Sequence, residues 1–445
     1  MSSIALESLR RCFEGSVPAM LATCAPDGTP NVAYASQVHY VDAGHVALSF
    51  QFFSKTRENI LANPQATVYV THPETVAQYL LQLRYLRTED SGPVFESMRA
   101  RLAGIASHTG MAGVFRLRGS DIYEVLAIER VPGPELPLPA RAYDPLHAVR
   151  GLSQRLAAQA DLGSLLDALL AGLREFLGIE HAMVLLADAR RRRLFTVASL
   201  GYASSGVGSE IPYGEGVIGV AAQHATPIRI NHLTQDLSYS RAVRAETLAQ
   251  AGHPDLDTEI PLPGLAESRS QLAVPIVIAG RIAGVLYAES PQELRFGHED
   301  EDVLVALAAQ LGMAIAVMLR AESPDDAAPA PTVPVASAGA PCQVRHFATG
   351  DSVFLDDAYL IKGVAGAIFV KLVREHLEHG RTEFTNRELR LTPELRLPDI
   401  SDNLEARLIL LQRRLAERDA CVQIAKCGRG RFQLIVRRPL RLSSA

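Results

Sequence analysis

"SFQFFSKTRENILANP", residues 49–64, decides how the opening segment of the chain is read. A strand-like run, "VALSFQFF", ends in the basic, hydroxyl-rich turn "SKTREN", and a short polar helix then stops at Asn63-Pro64. Ser54, Lys55, Thr56, Arg57 and Asn59 therefore gather where a strand gives way to a helix. Helix-start N–H groups, two hydroxyls and an ammonium converging on one point suit a phosphate monoester. An ordinary serine N-cap with solvated Lys and Arg fits the same residues.

Around this stretch the sequence alternates in the β manner. "PAMLATCA", the turn "PDGTP", "NVAYASQVHYV", "AGHVALSFQF" and "QATVYVTH" read as strands, as does the closing pair "GMAGVFRLRG" and "SDIYEVLAIERV". Helical patterns are expected at 74–87 and 92–106, giving a small closed β-barrel with helical insertions. "MLATCAPDGTPNVAYAS" followed by "LSFQFFSKTRENILANPQATVYV" resembles the pyridoxamine 5'-phosphate oxidase-like FMN-binding split barrels over most of residues 10–130. The resemblance implies that Lys55, Thr56, Ser54 and Asn59 hold the FMN phosphate and ribityl chain, and that Ser36 lies near the ring. It also implies a homodimer with the cofactor at the subunit interface. Relatives bind haem, a deazaflavin or no cofactor at all, and haem or an empty site stand as alternatives to FMN. The oxidase's further basic residues for a substrate phosphate have no counterpart before residue 131, so turnover is not implied. His39, His45, His72 and His108 have no ligand spacing and read as plain polar or core residues.

At 445 residues the chain exceeds one core, and with 48% hydrophobic and 21% charged residues it reads as a soluble multidomain protein. Cys12, Cys24, Cys342, Cys421 and Cys427 form no CxxC pair and are expected to be free thiols of a cytoplasmic protein. No signal-peptide pattern opens the sequence. The apolar run Val303–Leu319, broken by Gln310 and Gly312, is expected to be a buried or dimer-forming helix, not a membrane span. Proline-rich "VPGPELPLPARAYDP" (131–145) and "AESPDDAAPAPTVPVASAGAP" (321–341) divide the chain. The segments are 1–131, a linker 132–145, 146–320, a linker 321–341, and 342–445.

The second segment starts with a long amphipathic helix pattern over 146–178, continues through mixed strands and ends in the helix "HEDEDVLVALAAQLGMAIAVML". "GEGVIGVAAQHATPIRI" and "QLAVPIVIAGRIAGVLYAES" make it resemble a GAF domain, helices packed on an antiparallel sheet, nearly end to end. The resemblance implies an unknown small-molecule ligand or simple dimerisation. The segment has no cysteine, which argues against a thiol-linked bilin or iron–sulfur cluster. His224 and His232 read as solvated, and "ADARRRRLF" (187–195) as a charged turn between strands.

The tail, 342–445, holds 18 Lys+Arg against 13 Asp+Glu, a net +5, whereas the rest carries 26 against 36, a net −10. A basic tail on an acidic body points to nucleic acid. "AYLIKGVAGAIFVKLVREHLEHG", "TEFTNRELRL" with Thr385 as N-cap, and "PDISDNLEARLILLQRRLAERD" read as three helices, and "VQIAKCGRGRFQLIV" as a hairpin. This order resembles the winged-helix DNA-binding domain of response regulators. Leu404, Leu408, Leu411 and Leu415 are expected in the core. Asn403, Arg407, Arg413 and Arg414 on the third helix, with Lys426, Arg429 and Arg431 on the wing, are the expected contacts to double-stranded DNA. Ile409 and Leu410 depart from the pattern and would suit docking on protein.

The sequence thus describes a multidomain α+β chain: split barrel, then GAF, then winged helix. The combined reading is a one-component, homodimeric transcriptional regulator that senses a ligand or redox state, with no catalytic or metal residues assigned. The alternative is an FMN-dependent oxidoreductase regulated by its other modules; a third is a scaffold without ligands.

Overall fold

The structure, a computed structural model, describes residues 4–13, 17, 19–35, 37–50, 55–92, 94–99, 102, 117–138, 143–230, 260–320, 340–392, 395, 404–418, 420–428 and 430–444. The first unit contains strands β1 (Ala19–Cys24), β2 (Pro30–Ala35), β3 (Val38–Asp42), β4 (His45–Phe50), β5 (Gln65–Thr71), β6 (Gln78–Glu89) and β7 (Gly119–Val131). They form one seven-stranded antiparallel sheet in the order β2-β1-β5-β6-β7-β4-β3. Its two end strands, β2 and β3, are joined by residues 36 and 37 alone, so the sheet must curl to bring its ends to one corner. Inside lie Leu21, Val46, Leu48, Val68, Leu81 and Tyr123, closed off by Ile60 of helix α1 (Lys55–Ala62). A short 3-10 helix, Leu6–Phe13, adds Leu9 and Phe13 to that core.

One expectation is corrected here: residues 78–87 are strand, not helix. Their leucines favour a helix in isolation, and strict alternation holds only around buried Leu81 and Leu83 against exposed Gln82 and Arg84. Ladders to β5 and β7 on both sides override the local preference. Residues 94–99 are helical as expected, and the expected strand at 110–119 lies largely outside the described residues.

The second unit is a six-stranded antiparallel sheet built from β8 (His181–Asp188), β9 (Arg193–Leu200), β10 (Glu210–Pro212), β11 (Ile228–Ile230), β12 (Ser270–Ile278) and β13 (Arg281–Ser290). Their order is β10-β9-β8-β13-β12-β11. Strands β12 and β13 are joined by Ala279-Gly280, both in the left-handed region (φ 49° and 76°), the backbone that a tight hairpin needs. Helices α2 (Pro145–Ala157), α3 (Leu162–Leu177) and α5 (His298–Arg320) pack on one face, and α4 (Gly216–His224) covers the other. The 146–178 pattern is two helices instead of one. Asp161 adopts extended backbone and its carboxylate accepts from Ser164 N at 3.1 Å, starting α3 afresh. By length and composition α5 could cross a membrane. In this fold it buries Leu304, Leu307 and Leu311 against the sheet and exposes Met313 and Val317.

In the third unit, β14 (Cys342–Phe347), β15 (Ser352–Leu355), β16 (Ala358–Ile361) and β20 (Leu440–Ser444) form a sheet ordered β16-β15-β14-β20. The first expected helix therefore begins at α6 (Gly363–His379), after a strand. Next come β17 (Glu383–Thr385), α7 (Asn386–Arg390), α8 (Leu404–Glu417), β18 (Val422–Gly428) and β19 (Arg431–Val436), with a small sheet β17-β19-β18. Thr385 caps α7, accepting from Glu388 N at 3.2 Å. Cys342 and Cys421 are joined by a disulfide with Cα atoms 6.8 Å apart, which corrects the expectation of five free thiols. One apolar cluster runs without a break from α2 and α3 of the second unit into α6, α8 and β18 of the third.

Candidate functional site

The start of α1 gathers part of the expected phosphate seat. Ser54 and Ser36 lie outside the described residues. Lys55 is exposed at the first turn, its Nζ 3.3 Å from Glu58 Oε2. The Thr56 hydroxyl accepts from Asn31 Nδ2 at 2.9 Å. Asn59 faces inward, 1% exposed, and donates from Nδ2 to Thr23 Oγ1 at 3.1 Å. Thr23, Asn31, Thr56 and Asn59 thus stitch the helix to β1 and β2. The structure brings Lys55 and Thr56 to the helix start beside backbone N–H groups that have no partner within the helix. It places Asn59 in the barrel wall instead.

Arg57 turns the opposite way. Its guanidinium donates to Asp121 Oδ1 at 2.5 Å and Thr88 Oγ1 at 2.8 Å, and stacks over Phe50 and Tyr85. Burial pushes the Asp121 carboxyl above its ordinary range, against the opposing pull of Thr88 and Arg57. Sequence reasoning placed Arg57 in the turn but could not see its partner 64 residues away.

The second expected site is α8, and its surroundings differ from solvent. Leu404, Leu408, Leu411 and Leu415 are buried in the third unit as expected, and Ile409 and Leu410 are buried too. Arg407, 5% exposed, donates from Nη2 to Asp188 Oδ2 at 2.9 Å, and its guanidinium carbon lies 3.9 Å from the Phe195 ring centroid. Asp188 and Phe195 flank the turn 189–192 of the GAF-like sheet. Arg413 donates to Val197 O at 3.0 Å and to Asp167 Oδ1 at 2.6 Å. Arg414 makes its hydrogen bonds within its own unit, donating to Leu360 O and Glu417, while its stem faces Gly208 of the second unit. Lys426 sits between Glu405 at 3.2 Å and Asp161 at 3.9 Å. Arg431 lies half-buried on β19, and Asn403 and Arg429 fall outside the described residues. A Cβ built on Gly208 would lie 3.6 Å from Leu410 Cδ1, and one on Gly163 3.9 Å from Ile409 Cδ1, so both glycines face the helix.

Among the described residues no group of His, Cys, Asp and Glu could hold a metal ion. His72 accepts from Thr75 N at 3.2 Å, and His45 bonds Asp42 at 2.8 Å. His224 lies against Glu96 and Arg99 of the barrel unit. His232 and His108 are outside the described residues.

The folds and sites together define a pyridoxamine 5'-phosphate oxidase-like domain followed by a GAF domain: the oxidase family model matches residues 5–113, and the GAF domain model matches 159–316. Among solved structures, the GAF domain of a phosphoenolpyruvate-protein phosphotransferase from Acinetobacter is 23% identical over 40% of this chain and 97% of that one, with a TM-score of 0.32. A free methionine-R-sulfoxide reductase from Neisseria meningitidis is also 23% identical, over 40% of this chain and 95% of its own, with a TM-score of 0.29. An FMN-binding protein from Syntrophomonas wolfei subsp. wolfei is 14% identical over 28% of this chain and 86% of its own, with a TM-score of 0.24. No curated protein matches the chain.

Proposed function

We propose that this chain is a one-component sensory regulator whose C-terminal unit is a winged helix that binds duplex DNA. The pairing of a pyridoxamine 5'-phosphate oxidase-like domain with a GAF domain suggests a sensory or regulatory protein. The observation that carries the reading is that the cationic helix α8 lies directly on the GAF sheet. A change in the sensor therefore has a physical route to the effector. The order α6, α7, α8 and the β18–β19 hairpin supports a winged helix.

FMN fits the barrel in part: Lys55, Thr56 and the first-turn amides of α1 could hold a phosphate, while Asn59 is committed to Thr23. When bound, the flavin would supply redox chemistry to be sensed. Val32 and Tyr34, exposed on edge strand β2, suit coverage by a second copy in a homodimer. An absorbance spectrum of purified protein separates flavin, haem and empty states, and selection from random duplexes tests the tail. A chain that enriches no sequence, with a flavin that turns over, would favour the oxidoreductase reading.

A further inference from the structure

Three of the expected DNA-facing cations are turned toward the GAF unit: Arg407 is buried, Arg413 is half-buried and Lys426 is exposed at the rim. Arg407 meets Asp188, Arg413 meets Asp167 and Lys426 approaches Asp161, so three carboxylates of the GAF unit stand where phosphates would stand on a duplex. The apolar neighbours behave alike: Ile409 and Leu410, the two side chains that depart from a DNA-reading helix, are buried facing Gly163 and Gly208. A major groove could not admit a helix covered in this way.

From this we propose that the GAF domain masks α8 by charge mimicry, so that docking on the GAF sheet and docking on DNA are mutually exclusive. The inference rests on the reading of the tail as a DNA-binding unit. Each partner surface offers anions at the same guanidinium groups, and each excludes the other by occupying the same face.

Two features make the contact releasable. Buried Arg407 Nε has no hydrogen-bond partner, so the guanidinium is only partly satisfied in the docked state. Arg413 and Lys426 rest on half- or fully exposed carboxylates, which salt and competing polyanions can displace. Against release stands the exposure of Ile409 and Leu410, which keeps the docked form dominant until ligand or a changed GAF conformation shifts the balance. If the open form is a tenth or less of the population, the apparent affinity for DNA is reduced about ten-fold or more.

The test uses the full chain, and its first variant changes the GAF side and leaves α8 intact. Asp188→Asn combined with Asp167→Arg keeps the turn acceptor at 188 while removing one anion and reversing another. Small-angle X-ray scattering reads release as a larger radius of gyration, and fluorescence anisotropy with a pool of random-sequence duplexes at about 50 mM salt reads binding. The proposal expects an expanded chain that binds duplex about ten-fold or more tightly than the parent. Expansion with equal binding by parent and variant would leave the DNA reading standing and overturn the masking. Expansion with no duplex binding by either would overturn the DNA reading and the masking with it. Leu410→Asp, which buries a charge against the GAF sheet, is the second variant for scattering alone. If both variants stay as compact as the parent, the contact is not a releasable latch and the proposal fails.

Discussion

Lys55 and Arg57 are two residues apart and face different tasks. The ammonium of Lys55 is exposed at a helix start, and the guanidinium of Arg57 is half-buried in the barrel wall. Lys55→Ala is expected to weaken FMN binding by about 1.5–3 kcal/mol, the range for a charge-assisted hydrogen bond, measured by titration calorimetry. An unchanged affinity would remove Lys55 from the site. Arg57→Met should leave Asp121 buried without its cation and cost about 3–5 kcal/mol of barrel stability near neutral pH, read by denaturant unfolding. The pH dependence follows from the raised Asp121 carboxyl. A raised acid favours its protonated form in the folded state; that stability is complete below the ordinary carboxylate range and lost as pH rises through the elevated value. The deficit of Arg57→Met should therefore shrink in acid, where Asp121 is neutral and needs no cation.

At the scale of elements, some boundaries were legible in the sequence and others were not. The helix start at Lys55, the Thr385 cap and the 422–436 hairpin carry their own local signals and lie where the sequence indicates them. β6 was misread because its helix-favouring leucines are outweighed by ladders from distant strands. The break at Asp161 was signalled by an Asp three residues before Ser164, yet the apolar period runs through it and hid it. The cations of α8 could be picked out one by one, but Asp188 lies 219 residues from Arg407, and no local pattern links them. The disulfide escaped for the same reason: Cys342 and Cys421 are 79 residues apart, and spacing alone gives no pairing. Closing a loop of that length restrains the unfolded chain by about 4.5 kcal/mol in the entropic model. Reduction should lower the melting temperature of the C-terminal unit in calorimetry, and Cys342→Ser should reproduce the loss without reductant. An identical melting curve in both cases would rule out a stabilising bridge.

Across the whole molecule, the barrel meets the GAF unit through polar contacts. Arg10 pairs with Asp302 at 2.9 Å, Arg11 reaches Glu299 at 3.9 Å, and His224 sits among Glu96 and Arg99. Burial, then the charge of Arg99, holds His224 below its ordinary value, with Glu96 opposing. A depressed histidine is favoured neutral, so its contribution is present above about pH 6.5 and lost as pH falls through and below that value. The barrel–GAF contact should loosen on mild acidification, seen as faster proteolysis between the two units, and His224→Gln should flatten that response. A profile unchanged by the substitution would show that other groups set it.

The bridge between Cys342 and Cys421 also has a mechanical meaning. The linker from the GAF unit enters the tail at Cys342, and the disulfide fastens that point to Cys421, four residues beyond the end of α8. A load applied at Cys342 therefore reaches the C-terminal end of α8 through the bridge to Cys421, without crossing the sheet. There the Ser205–Glu417 hydrogen bond comes first, then Arg413, and Arg407 last. A pull applied at one end peels such a seam contact by contact, whereas a pull along the seam would have to shear every contact together.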